Sequence, residues 1–133
     1  MMRMPILGAP LRPYLARVAR REHDLRQEHY PAMVKAGTMT AEEAHEDCAA
    51  WRVVAELFTS GTSETKRTWA ELELATGKAL QRREQACETA PGDKALADRR
   101  DAVWAMHERI SWHRQTIMRI NELSARRTDR EAA

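Results

Sequence analysis

Cysteine, glycine, proline and aromatic residues are all scarce in this chain of 133 residues. The two cysteines, Cys48 and Cys87, are too few for a disulfide framework and do not have the spacing of metal ligands. Five glycines and five prolines exclude the collagen-like and low-complexity classes. Four Trp, two Tyr and one Phe are few for a β-sheet protein, whose strands are usually rich in aromatic side chains.

The chain also lacks a large charge imbalance and a long hydrophobic run. Lys and Arg number 22 against 20 Asp and Glu, so the net charge of +2 gives no general attraction to nucleic acid. The apolar run at residues 4–7 is broken by Pro5 and followed by Gly8 and Pro10, and it is too short for a signal peptide or a bilayer span. We therefore expect a cytoplasmic protein with no membrane partner.

The first part of the chain divides into an arm and a helix. Residues 1–13 contain three prolines and one glycine, which predicts an extended arm. A helical pattern begins near Tyr14. Pro31 predicts a kink or break at Tyr30, because proline removes a backbone donor and clashes with the preceding turn.

A second helix is predicted immediately after this one. Gly37 is the expected left-handed cap of the first helix. Thr40 and Glu43 have the spacing of a capping box, which predicts a helix that begins after Thr40 and ends near residue 58. Residues 14–60 are therefore interpreted as an N-terminal kinked helical hairpin.

The second half predicts a longer antiparallel helical hairpin at residues 64–127. Its two helices are expected at residues 64–89 and 94–127, joined by a compact turn in which Asp93 is the N-cap. Residues 128–133 are expected to fray. An apolar residue recurs every seven positions in the last helix, which predicts left-handed, coiled-coil-like packing. The repeat consists of Leu96, Val103, Ile110 and Ile117.

These elements together predict an all-α protein in which two helical hairpins form a bundle with a long C-terminal helix. If the hairpin turns at residues 90–93, Trp69 lies near His113 and the last helix extends past its partner by roughly 8–10 residues, or about 12–15 Å. Apolar side chains in that extension and on other sides of the helix need a cover, so we predict a surface that binds a partner protein or a second copy. Its residues are Trp104, Trp112, Ile117, Met118, Ile120 and Leu123.

Carboxylates at the start of the second helix raise the alternative of metal chemistry. Glu42 and His45 have the spacing of a di-iron ligand pair. Glu43 and Glu46 have that of magnesium-dependent helical nucleotide pyrophosphohydrolases. Each site needs carboxylates from another helix, and the nearest approximation is the pair Asp98 and Asp101. Because acidic residues at a helix N-terminus are usually a solvated first turn, we predict no catalytic residues, no metal and no cofactor.

Clusters of arginine raise a second alternative, a nucleic-acid-associated protein. Six arginines are its candidate contacts, although Glu84, Asp98 and Asp101 lie among them as possible partners. The six are Arg82, Arg83, Arg99, Arg100, Arg126 and Arg127.

Residues 28–51 resemble a segment of small all-helical phage and prophage proteins. The shared pattern is Tyr30-Pro31, a glycine turn at Gly37, a capped helix with Glu43-Ala44, and then an apolar helix containing Trp51. The resemblance implies an origin in a mobile genetic element and assigns no functional residues. Small phage proteins without catalytic motifs often inhibit host machinery, including CRISPR effector complexes. The leading hypothesis is therefore a non-enzymatic interaction module, a phage-encoded inhibitor of a host defence complex in the host cytoplasm.

Overall fold

The computed structural model describes residues 2–3 and 12–132, and this part of the chain is an all-α bundle with one short β-ribbon. Its helices are α1 (Arg12–Lys35), α2 (Ala41–Ser60), α3 (Trp69–Thr89) and α4 (Lys94–Ala132). The strands β1 (Met2–Arg3) and β2 (Thr62–Ser63) pair antiparallel, with Met2 opposite Ser63. The predicted fold class is confirmed: α1 packs on α2, α3 packs on α4, and the C-terminal helix is long.

Side-chain caps determine where three of the helices begin. The Thr40 hydroxyl accepts a hydrogen bond from the Glu43 backbone N–H at 3.0 Å, and Asp93 accepts one from the Leu96 N–H at 3.2 Å, as predicted. Each bond satisfies a backbone donor that has no partner within the helix. The predicted start of the third helix at residue 64 is wrong. Thr68 is its N-cap and accepts from the Glu71 N–H, so α3 begins five residues later.

Of the predicted kink or break at Tyr30, the break does not occur, because α1 continues through Pro31 to Lys35. The proline lies four residues before the helix end, where only one more turn follows it. Tyr30 is buried, and its hydroxyl donates to the Asp47 carboxylate on α2. This tertiary contact holds the segment in place. It stabilises the last turns of α1, where Pro31 lacks the N–H of a backbone hydrogen bond.

Both the predicted arm and the predicted tail contain regular secondary structure. Arg12 and Pro13 belong to the first turn of α1, where proline is tolerated, and β1 pairs with β2. The rest of the predicted arm, residues 4–11, lies outside the described residues. The tail is helical as far as Ala132, and an Arg127–Glu131 ion pair spans one turn of it at 3.1 Å.

Alanine-rich helix faces build the core. Alanine occupies seven of the core positions, and ten larger apolar side chains fill the rest of the core. The fully buried large side chains include Trp51 and Phe58 on α2 and Leu72 on α3. The alanines of the core are Ala16, Ala19, Ala50, Ala55, Ala75, Ala79 and Ala102.

Only the middle of the apolar repeat on α4 is covered. Val103 and Ile110 are fully buried, whereas Leu96 and Ile117 are half-buried. Trp69 contacts His113 edge-on at 4.3 Å between ring centroids, as the hairpin geometry predicted. From residue 118 to residue 132 every side chain is exposed. None of the described helices combines the length and the apolar character that crossing a bilayer requires.

Two isoleucines on α4 test this boundary between covered and projecting helix. We expect Ile110→Ala to lower the free energy of unfolding by about 2–5 kcal/mol, because it leaves a cavity in the core. The same substitution at Ile120, which is 55% exposed, should cost about 0.5 kcal/mol or less. Urea denaturation of both variants measures the difference. Equal losses at the two positions would contradict the boundary.

Candidate functional site

The C-terminal part of α4 projects from the bundle. Arg114 donates to Glu73 on α3 at 3.1 Å, one residue beyond the Trp69–His113 contact. The exposed residues 118–132 that follow would span about 22 Å along the helix axis. The projection is longer than predicted, because α3 begins later and α4 ends later than the sequence pattern indicated.

The predicted partner-binding residues are exposed on α4, except Ile117, which is half-buried. Trp112 is 60% exposed and Leu123 is 48% exposed. These two residues are eleven positions apart, which places them on the same side of a helix with 3.6 residues per turn. Trp104 and Met118 lie about 80–140° around the helix from them, so the six residues do not form one continuous surface.

Three arginines share the side of α4 that carries Trp112 and Leu123. The helical period places all five residues within an arc of about 60°. Arg126 pairs with Glu122, whereas neither Arg119 nor Arg130 forms an ion pair within the described chain. We call this set the Trp112 stripe, and it consists of Trp112, Arg119, Leu123, Arg126 and Arg130. The arginines of the stripe were not predicted as part of the surface, although their spacing from Trp112 is visible in the sequence.

A buried ionic cluster lies at the junction of α1, α2 and α3. Glu22 is 1% exposed, and both of its oxygens accept from Arg83 on α3, at 2.6 and 2.8 Å. Arg26 donates to Glu22 at 2.7 Å and to Asp47 on α2 at 2.8 Å. Its guanidinium also lies over the ring of Trp51, 4.5 Å from the centroid.

The charges of this cluster stabilise its carboxylate. Burial by itself raises the pKa of the Glu22 carboxyl, but hydrogen bonds and charge from Arg83 and Arg26 outweigh that effect. The net result is a lowered pKa, so Glu22 is ionised at neutral pH despite its burial. This cluster was not predicted from the sequence. The four-residue spacing of Glu22 and Arg26 is compatible with an ion pair, but nothing in the sequence indicates that the pair is buried.

The six arginines of the predicted nucleic-acid surface fall into two separate groups. Arg82, Arg83 and Arg99 line one groove of about 380 Å³, together with Leu25 and His29 of α1. Arg126 and Arg127 lie about 40 Å farther along α4 from Arg99 and pair with Glu122 and Glu131. Arg100 pairs with Asp101. We call the first region the arginine groove.

The four carboxylates of the predicted hydrolase site do not line one groove. Glu43 and Glu46 line a groove of about 580 Å³ with Glu71 of α3, whereas Asp98 and Asp101 pair with Lys94 and Arg100 on α4. Arg67 contacts both Glu46 and Glu71 and offsets their negative charge. Across residues 12–132, no three or more His, Cys, Asp or Glu side chains come together as a metal-binding group.

His113 is a buried polar residue in the apolar stripe of α4. Its ring contacts Trp69, and its Nε2 atom has no hydrogen-bond partner among the described residues. Burial lowers the pKa of His113, so the imidazole is neutral at pH 7. A neutral ring packed edge-on against an indole serves as a core side chain.

Comparison with protein-family models, with curated proteins and with solved structures gives no match to this chain.

The ionic cluster predicts a pH-dependent stability. We expect Glu22→Gln to cost about 3–5 kcal/mol at pH 7, because Arg26 and Arg83 would then surround a neutral group in the interior. Since the folded-state pKa of Glu22 is lowered, its contribution is present above its ordinary value of 4.5 and is lost as the pH falls through the folded-state value. Urea denaturation at several pH values should show the difference between wild type and variant shrinking in acid.

The matched control for this experiment is Glu28→Gln, which changes an exposed carboxylate on the same helix. It should alter the free energy of unfolding by about 0.5 kcal/mol or less. If Glu22→Gln is as stable as wild type at pH 7, the cluster does not join the helices as described.

Proposed function

We propose that this protein is a non-enzymatic protein-binding module that docks a partner through the projecting part of α4. The observation that supports the proposal is the exposure of Trp112, Ile120 and Leu123 on a helix whose last 15 described residues are all exposed. Large apolar side chains grouped on one exposed helix are typical of interaction sites.

The Trp112 stripe defines the chemistry of the partner. Trp112 and Leu123 are suited to apolar pockets, and Arg119, Arg126 and Arg130 lie between and beyond them along the same side of α4. An amphipathic helix of this kind fits a hydrophobic groove, with its anchors spaced by whole helical turns. The partner is therefore a protein with an apolar groove bordered by Asp and Glu.

A second copy of this chain fits the stripe less well. The stripe carries three arginines, of which Arg126 pairs with the neighbouring Glu122, whereas Arg119 and Arg130 form no ion pair within the described chain. Two stripes packed against each other would bring arginines together, and like charges at an interface oppose association. Charge complementarity favours an acidic partner instead.

The resemblance of residues 28–51 to phage proteins directs the search for that partner. A host defence complex, such as a CRISPR effector complex, is the first target to test as an inhibited partner. This choice depends on the resemblance, whereas the docking surface depends on α4.

A charge introduced into the stripe tests the docking surface. We expect Leu123→Glu to weaken partner capture at least tenfold, because it places a carboxylate in an apolar, acid-lined groove. Ala125→Glu is the matched control: it adds the same charge to an exposed position about 200° around the same helix. Affinity purification from a host lysate with wild type and both variants, followed by quantitative mass spectrometry, measures the effect.

Two further measurements make the outcome decisive. Thermal unfolding should be the same for both variants, because both positions are exposed. Sedimentation equilibrium should give a monomer for the wild type. A dimer that Leu123→Glu dissociates would identify a second copy as the occupant. Equal capture by both variants would overturn the assignment of the stripe.

A further inference from the structure

A second region of the molecule carries uncompensated positive charge. The arginine groove lies between α1, α3 and α4, and Arg82, Arg83 and Arg99 all line it. Arg83 is neutralised by the buried Glu22. Arg82 donates only a long bond of 3.4 Å to the Tyr30 hydroxyl, and neither Arg82 nor Arg99 forms an ion pair within the described chain.

The surroundings of Arg99 destabilise its positive charge. Burial and the nearby positive charges of Arg83 and Arg21 lower the pKa of Arg99 from its ordinary value. Arginine nevertheless stays protonated in proteins at neutral pH, so the groove retains an unneutralised guanidinium beside two others. Like charges held together in this way are unfavourable unless an anion joins them.

The rest of the groove is suited to more than a bare anion. Leu25 and Ala79 contribute apolar surface, and Tyr30 and His29 contribute aromatic rings. The volume of about 380 Å³ is within the range of sites for small organic ligands. Guanidinium groups bind phosphate through paired, charge-assisted hydrogen bonds, which a carboxylate-free pair of arginines can provide here.

We propose that the arginine groove binds the phosphate group of a small phosphorylated organic ligand, with Arg82 and Arg99 as the phosphate-binding residues. Arg83 is a positioning residue, because its side chain is held by Glu22 and forms one wall of the groove. The site is separate from the Trp112 stripe, since Arg99 and Arg119 are about 30 Å apart along α4.

The groove is too local for a nucleic-acid duplex. A duplex presents phosphates along a continuous track, and many basic contacts share the binding. Here the other arginines of the predicted nucleic-acid surface are paired with Asp101, Glu122 and Glu131. A single phosphate-bearing ligand matches the observed grouping of charges.

Isothermal titration calorimetry at low salt with adenosine monophosphate as the probe tests the proposal. We expect wild type to bind this monophosphate and to bind adenosine, which lacks the phosphate, at least tenfold more weakly. Arg82→Gln and Arg99→Gln should each weaken binding of the monophosphate about tenfold or more. Arg127→Gln, the same change at an exposed position of the same helix outside the Trp112 stripe, should bind like wild type.

The stability of the free protein distinguishes a binding role from a structural one. Arg99→Gln should leave the thermal unfolding midpoint unchanged or raise it, because it removes a positive charge beside Arg83 and Arg21. A lower midpoint without loss of monophosphate binding would overturn the proposal. So would the absence of monophosphate binding in wild type, or binding that Arg99→Gln does not weaken.

Two additional probes separate the sources of negative charge. A single-stranded oligonucleotide that binds while the monophosphate does not would place the phosphate in a nucleic acid and overturn the small-ligand assignment. Citrate that binds as tightly as the monophosphate would show that the groove does not select phosphate, and it would also overturn the assignment. Both results are independent of the Leu123→Glu experiment, so the docking proposal and the phosphate-binding proposal can be refuted separately.

Discussion

A buried carboxylate holds the two hairpins of this protein against each other. Glu22 belongs to α1, and Arg83, which donates to both of its oxygens, belongs to α3. Arg26 extends the cluster to Asp47 on α2, so three helices meet at one set of charges. Seven of the seventeen residues of the hydrophobic core are alanine, and alanine side chains do little to specify how helices face each other. An ionic cluster with directed hydrogen bonds supplies that specification, because an unpaired charge in any other arrangement would be costly.

The cluster also explains the position of the arginine groove. Because Glu22 holds Arg83 at the junction of the hairpins, the neighbouring residues of α3 and the first turns of α4 face α1. Arg82 and Arg99 are brought to the rim of the same junction, where no carboxylate of the described chain pairs with them. The surface charge of the groove is therefore a consequence of how the interior is assembled. The Trp112 stripe has a different origin, since it depends on the length of α4 relative to α3.

Local sequence signals predicted the helices well wherever the signal acts within one turn. Thr40, Asp93 and Gly37 cap helices as expected, because a cap depends on neighbouring residues alone. The predictions fail where distant contacts or competing local signals determine where a helix begins or ends. Pro31 does not break α1, since Tyr30 is held by Asp47 from another helix. The two-residue strands β1 and β2 are too short to have a sequence period, and their pairing joins segments about 60 residues apart.

The candidate surfaces also combine features set by local sequence with features set by contacts between distant residues. The sequence alone determined that α4 has apolar residues on more than one side and that its end extends past its partner, because helical spacing and the turn at residues 90–93 are local properties. Only the tertiary structure decided that α1 forms a groove with Arg82, Arg83 and Arg99, that Glu22 is buried and ionised, and how far α4 projects. These features depend on contacts between residues far apart in the chain, such as Glu22 with Arg83. Local patterns indicate which consecutive helices form a hairpin, but not how the two hairpins pack against each other.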